Sequence, residues 1–138
     1  MMVLPAWCEP FTRLQYADKG RGPQAFDCWG FVRHVQAERF GVSDLPDLAD
    51  EYPSAEDHDS VAEVVRRYER ALASSWVPVA SPQAGDIVIL KIANRPWHCG
   101  VVVGGDWMIH ITRGVNVGCE HFTREPWRNR IEGFYRHV

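Results

Sequence analysis

Cys28, His98 and His110 are the residues of this chain whose types and spacing could carry out nucleophilic chemistry. A thiol with a pKa of about 8.5 is mostly protonated at neutral pH; a helix N-terminus or a nearby imidazole activates it by lowering that value. The histidine that takes the thiol proton returns it to the leaving amine, and needs a further polar group to fix its own tautomer. Within Phe26-Asp27-Cys28-Trp29-Gly30-Phe31-Val32-Arg33, Cys28 falls in the first turn of a predicted helix. There the backbone N–H groups lack intrahelical partners and the helix dipole is positive. The same position suits a small core residue, since free cysteine is among the most buried residue types, so position alone leaves both readings open.

His98 stands near the start of one predicted strand and His110 near the end of the next. A hairpin turning at Gly104-Gly105-Asp106 pairs position 98 with a residue near 110 or 111, which makes the two imidazoles cross-strand neighbours. Period-two alternation turns Cys99 to the opposite face from His98 and argues against Cys99 as the nucleophile. His34, His58, His121 and His137 lie in no comparable pattern and read as surface, edge or loop residues.

The elements that must position these groups are legible in outline. Asp27 is an N-cap candidate for a helix running to about Phe40, with Phe31, Val32, Val35 and Phe40 as its inward stripe and Gly41 as a left-handed stop. Upstream, 4–16 is expected to hold a short helix, and Ala17-Asp18-Lys19-Gly20-Arg21-Gly22-Pro23 a turn. Ser60-Val61-Ala62-Glu63 reads as a capping box opening a second helix. Val61, Val64, Val65, Tyr68 and Leu72 form one face of that helix. From Val77 the chain turns to strands: 87–92, 97–103 and 107–112, a weaker extended piece bracketed by Gly114 and Gly118, and a last strand over 130–136. Two helices followed by an antiparallel sheet make an α+β fold.

Composition narrows the function classes. The chain has 138 residues, 46% hydrophobic and 24% charged, with a net charge of −3, the profile of one globular domain over 1–138. That charge leaves no electrostatic footprint for nucleic acid, and no run approaches the roughly 18 apolar residues of a membrane-inserted span. Cys8, Cys28, Cys99 and Cys119 are isolated from one another, without the close pairs of a structural zinc site, so no metal or other cofactor is expected. The stretch from Met1 to Trp7 has no basic n-region and no apolar core, which implies synthesis in the cytoplasm with reduced thiols and without a cleaved signal.

Four ordered blocks carry a resemblance: 26–33 around Cys28, Pro82-Gln83-Ala84-Gly85-Asp86-Ile87-Val88, His98-Cys99-Gly100-Val101-Val102, and Met108-Ile109-His110. Together, over about 16–112, they resemble the NlpC-type cell-wall peptidases, papain-like cysteine endopeptidases that cleave peptidoglycan stem peptides. The resemblance implies N-terminal helices packed on a C-terminal antiparallel sheet, with the nucleophile at a helix N-terminus. It implies Cys28 as nucleophile, His98 as general base and then acid, and His110 as the group orienting His98. Tyr16 matches a tyrosine lining the family's site, and Asp27 a residue that helps bind a free substrate amine. Many relatives carry serine after the cysteine; Trp29 stands there instead and leaves the stem-peptide preference open. The expected bond is an amide between D-glutamate or its γ-linked partner and a diamino acid. The Asp-Cys-Trp-Gly form, preceded by Gly20-Arg21-Gly22-Pro23, most resembles the subgroup encoded with bacteriophage tail genes. It implies a tail-tip peptidase carried to the envelope in the virion beside other tail proteins. Two alternatives remain: a structural tail-tip plug that keeps the fold, and a related Cys/His amidase or acyltransferase.

Overall fold

Asp27 begins the arrangement. The computed structural model describes residues 4–138, so the reading of Met1, Met2 and Val3 lies outside the described residues. The Asp27 backbone is extended and its carboxylate accepts the Gly30 N–H at 2.8 Å, so helix α1 (Cys28–Phe40) opens on the cysteine. Such a cap contributes about 1 kcal/mol. Gly41, at φ 68°, closes the helix in the left-handed conformation, and Phe31, Val32 and Val35 are buried as expected. Before α1, the short helix expected within 4–16 is a 3-10 helix over Ala6–Phe11, and two brief parallel strands, β1 (Gln15–Tyr16) and β2 (Ala25–Phe26), lead into the cap.

Helix α2 (His58–Ala71) starts earlier than the Ser60 capping box implies. Asp57 is the N-cap and its carboxylate accepts the Ser60 N–H at 3.1 Å. Ser60 therefore sits inside the first turn. Where an aspartate and a serine compete three residues apart, the first carboxylate reaches the open N–H groups. The start of α2 is tied to the sheet by an Arg95–Asp59 ion pair and by the His58 ring against Trp97.

Six strands form one antiparallel sheet: β3 (Trp76–Val79), β4 (Ile87–Ile92), β5 (Arg95–Gly104), β6 (Trp107–Thr112), β7 (Asn116–His121) and β8 (Ile131–His137), in the order β3-β8-β4-β5-β6-β7. Alternation splits the sheet's residues between two apolar clusters. Ile87, Ile89, Cys99, Val101, Val103, Ile109 and Ile111 pack with α1. Val88, Leu90, Val102 and Met108 pack with Phe122 and Trp127.

The close approach of α1 to the preceding loop generates a test. A Cβ at Gly30 would lie 2.3 Å from the Gly20 carbonyl oxygen, and backbone on both sides leaves little room to relax. Gly30→Ala is expected to lower stability by about 1–3 kcal/mol, read as a reduced urea midpoint with an unchanged m-value.

Candidate active site

The site is assembled from the first residue of α1 and from three neighbouring strands. Asp27 has a relative exposure of 0%. Its Oδ1 accepts Gly30 N–H and, at 2.7 Å, Arg21 Nη1, while the Tyr52 hydroxyl donates to Oδ2. Arg21 extends the network to the Asp47 carbonyl and to Tyr52. Three of the roughly four acceptor sites of the carboxylate are thus filled, and Asp27 also lines the cavity that Cys28 borders. The structure shows Asp27 as the cap and anchor of α1.

Cys28 is half-buried and borders a cavity of about 110 Å³ whose walls include Trp29, Leu48, Val65, Ile89, Trp97, His98 and Cys99. The cavity runs between the inner face of α2 and the sheet, and its lining is almost wholly apolar. Trp29, half-buried, donates its indole N–H to the Pro46 carbonyl at 2.8 Å. Tyr16 lies near the thiol, with its hydroxyl on Glu56 at 3.2 Å; burial, then Glu56 and the Cys28 sulfur, push its pKa upward.

His98 and His110 meet directly, with Nε2 of the first 2.7 Å from Nδ1 of the second, and both are buried. They are not opposed across the hairpin. Val101 pairs with Ile109 and Val102 with Met108, a bulge follows before Gly104, and continuing that register places His110 across from Gly100. The imidazoles reach each other diagonally because Gly100 has no side chain; a Cβ there would lie 3.1 Å from His110 Cβ. The Trp127 indole stacks on His98 at 5.6 Å and meets His110 edge-on. Burial, reinforced by His110, holds the His98 pKa well below its ordinary value.

Two partners were not singled out in the sequence. One is Glu120 on β7, whose Oε2 lies 2.5 Å from His110 Nε2. That hydrogen bond holds the Glu120 carboxyl below its usual range. The indole N–H of Trp127, buried without a partner at full hydrogen-bond geometry, adds to the same effect. The extended piece bracketed by Gly114 and Gly118 runs on to His121 as β7, which brings Glu120, two residues past that bracket, beside the His110 strand. The other is Cys99. It does face away from His98, and for that reason it lies beside Cys28; the neighbouring Cys28 thiol, together with burial, raises the Cys99 pKa well above its usual value. Cys99 therefore keeps its proton and its S–H is the natural donor to the Cys28 sulfur. The structure thus joins His98 to His110 directly and brings Cys28 to the same cavity as His98. Among those residues no cluster of three or more His, Cys, Asp or Glu is arranged to hold a metal ion, and no helix is long and apolar enough to cross a membrane.

A model of the NlpC/P60 family matches residues 13–136, nearly the whole chain. The chain belongs to the NlpC/P60 family. Among solved structures it is similar to the NlpC/p60 domain of the peptidoglycan hydrolase SagA, at 20% identity and a TM-score of 0.59, covering 98% of this chain and 96% of that one. It is also similar to a lipoprotein-like NLP/P60 protein of Staphylococcus aureus (19%, TM-score 0.63) and to NlpC1 of Trichomonas vaginalis (16%, TM-score 0.61). It covers 99% and 95% of its own length in these two but spans only 40% and 41% of theirs. No curated protein sequence matches the chain significantly. These likenesses establish the family's papain-like α+β fold, helices on an antiparallel sheet with the cysteine opening a helix.

Two outcomes follow for this NlpC/P60 site. Burial raises the Cys8 pKa to about 11, and Cys99 is buried and raised well above the ordinary value. Limited alkylation with iodoacetamide near neutral pH, followed by peptide mapping, should therefore label Cys28 before Cys8 or Cys99; first labelling of Cys99 would contradict the exposures described. His98 is harder to protonate in the fold than in the unfolded chain, so the unfolded state takes up more protons below its value of 6.5. Stability is therefore complete above that pH and falls as the pH drops below it. The urea midpoint should decline on acidification from that point, and His98→Phe should flatten the decline.

Proposed function

We propose that this chain is a cysteine endopeptidase that hydrolyses amide bonds in peptidoglycan stem peptides, and that it acts as a phage tail-tip component opening the cell wall locally during genome delivery. One observation carries the chemical part. In a chain matched by the NlpC/P60 family from 13 to 136, the cysteine that opens α1 shares a cavity with a histidine bonded to a second histidine. The SagA domain, described as part of a peptidoglycan hydrolase, supports the substrate class. The tail-tip part is supported by the Asp-Cys-Trp-Gly block and the Gly20-Arg21-Gly22-Pro23 stretch before it, and with it go a virion location and neighbouring tail proteins as partners.

In this reading Cys28 attacks the scissile carbonyl as a thiolate, with His98 holding the proton. The oxyanion is met by backbone N–H groups at the start of α1, including that of Cys28, and by the positive end of the helix dipole. His98 then protonates the departing amine, and water releases the acid from the thioester. His110 orients His98. Trp29, Tyr16 and Asp27 flank the substrate, Asp27 while also capping the helix. Chemistry requires the Cys28 thiol to exchange its Cys99 contact for the His98 imidazole, a hydrogen bond that tightens as substrate binds.

One observation favours a second reading, a tail-tip plug that keeps the fold: His98 is hydrogen-bonded to His110, while the Cys28 thiol neighbours Cys99. The test treats purified peptidoglycan with the chain and with Cys28→Ala, identifying muropeptide products by mass. The peptidase reading expects new stem-peptide termini from the parent and a loss of at least about 10³-fold in the variant. Equal cleavage by both would refute it, and products of a different bond would point to amidase or acyltransferase chemistry. Phage particles carrying Cys28→Ala that assemble but fail to infect support the peptidase; particles that infect normally support the plug.

A further inference from the structure

We propose that Glu120 is a positioning residue of this site: it fixes the tautomer of His110 and, through it, that of His98, so that His98 Nδ1 is the atom left to accept the thiol proton. The inference deepens the peptidase reading and rests on it for the thiol's role, but the tautomers can be observed without any substrate.

The argument follows the protons along one chain of contacts. Glu120 Oε2 lies 2.5 Å from His110 Nε2, and His110 Nδ1 lies 2.7 Å from His98 Nε2. An ionised carboxylate only accepts, so the first contact requires the proton on His110 Nε2. A neutral imidazole carries one N–H, so His110 Nδ1 is then an acceptor. The second contact in turn requires the proton on His98 Nε2, and His98 Nδ1 keeps a free lone pair. Glu120 can stay ionised because its side chain is 43% exposed, whereas the two imidazoles it directs are buried. Without the carboxylate the chain could run the other way. His110 Nδ1–H would donate to His98 Nε2, and His98 would carry its proton on Nδ1, on the wrong atom for a base.

The backbone is shaped for this contact. Glu120 pairs with Met108 and His110 with Gly118, so Glu120 reaches His110 diagonally, as His98 does from the other side. A Cβ at Gly118 would lie 4.0 Å from His110 Nε2 and one at Gly100 would lie 3.1 Å from His110 Cβ. Gly100 thus clears the path on the His98 side, while at Gly118 a Cβ would make only ordinary contact. Trp127 covers both imidazoles, and Cys119 and His121 are the titratable neighbours of Glu120 along β7.

The experiment is long-range ¹H–¹⁵N NMR of the histidine rings in the full chain, at a pH where both are neutral, for the parent and for Glu120→Leu. The parent should show both His98 and His110 protonated on Nε2, and the variant should move at least one of them to Nδ1. Cys28 alkylation by iodoacetamide should slow by about tenfold or more in the variant, as a misdirected base predicts. A parent spectrum with either histidine protonated on Nδ1 overturns the proposal, as do unchanged tautomers in a folded Glu120→Leu. If that variant does not fold, the parent spectrum alone decides. Correct tautomers in a chain that digests no peptidoglycan would leave Glu120's role standing and remove the peptidase reading; the reverse result would do the opposite.

Discussion

The carboxylate of Asp27 is the constraint on which the rest of the site depends. A fully buried aspartate is expensive unless its charge is matched and its oxygens are filled. Here one oxygen holds the Gly30 N–H and Arg21, and the other holds the Tyr52 hydroxyl. These partners come from three separate parts of the chain: the loop before the helix, the helix itself, and the segment that leads to α2. One side chain therefore fixes the direction in which α1 leaves the loop, and with it the location of the sulfur one residue later. The role these contacts show is architectural.

The imidazole side of the site obeys a different rule. His98, His110 and Glu120 sit on three consecutive antiparallel strands, and each meets the next on a diagonal. Cross-strand spacing then sets their separations, since diagonal neighbours come within reach when the intervening position is small. Glycines at 100 and 118 occupy those positions. Trp127 seals the group from solvent on the sheet face away from α1, and the resulting burial explains why His98 resists a second proton.

Much of this was legible in the sequence, for identifiable reasons. The helix that opens on Cys28 was readable because a cap, an apolar stripe and a terminal glycine coincide. The β5–β6 hairpin was readable because β-branched runs flank a Gly-Gly-Asp turn. The register was less so: a bulge between Val102 and Gly104 shifts the pairing, and local sequence does not announce a bulge of that kind. The start of α2 was misplaced because Asp57 and Ser60 both suit a cap. Glu120 was hidden in a strand with glycine and few apolar residues, where alternation is weak, and its importance arises only from what lies beside it. Cys99 illustrates a subtler gap. Alternation placed it correctly opposite His98, but only packing reveals that the opposite side is where the Cys28 thiol waits.

That division has a mechanical consequence. The imidazoles and Glu120 are locked together by the hydrogen-bonded ladders of one sheet, whereas the sulfur belongs to the helical layer, which touches that sheet through apolar packing. Proteins open locally in cooperative units of unequal stability, and a join between two layers is where such units meet. Gentle heating or mild denaturant should therefore loosen the join between layers first, parting sulfur from base while each half keeps its internal order. Catalytic competence in such a molecule is a property of the seam, and it is lost earlier than the fold.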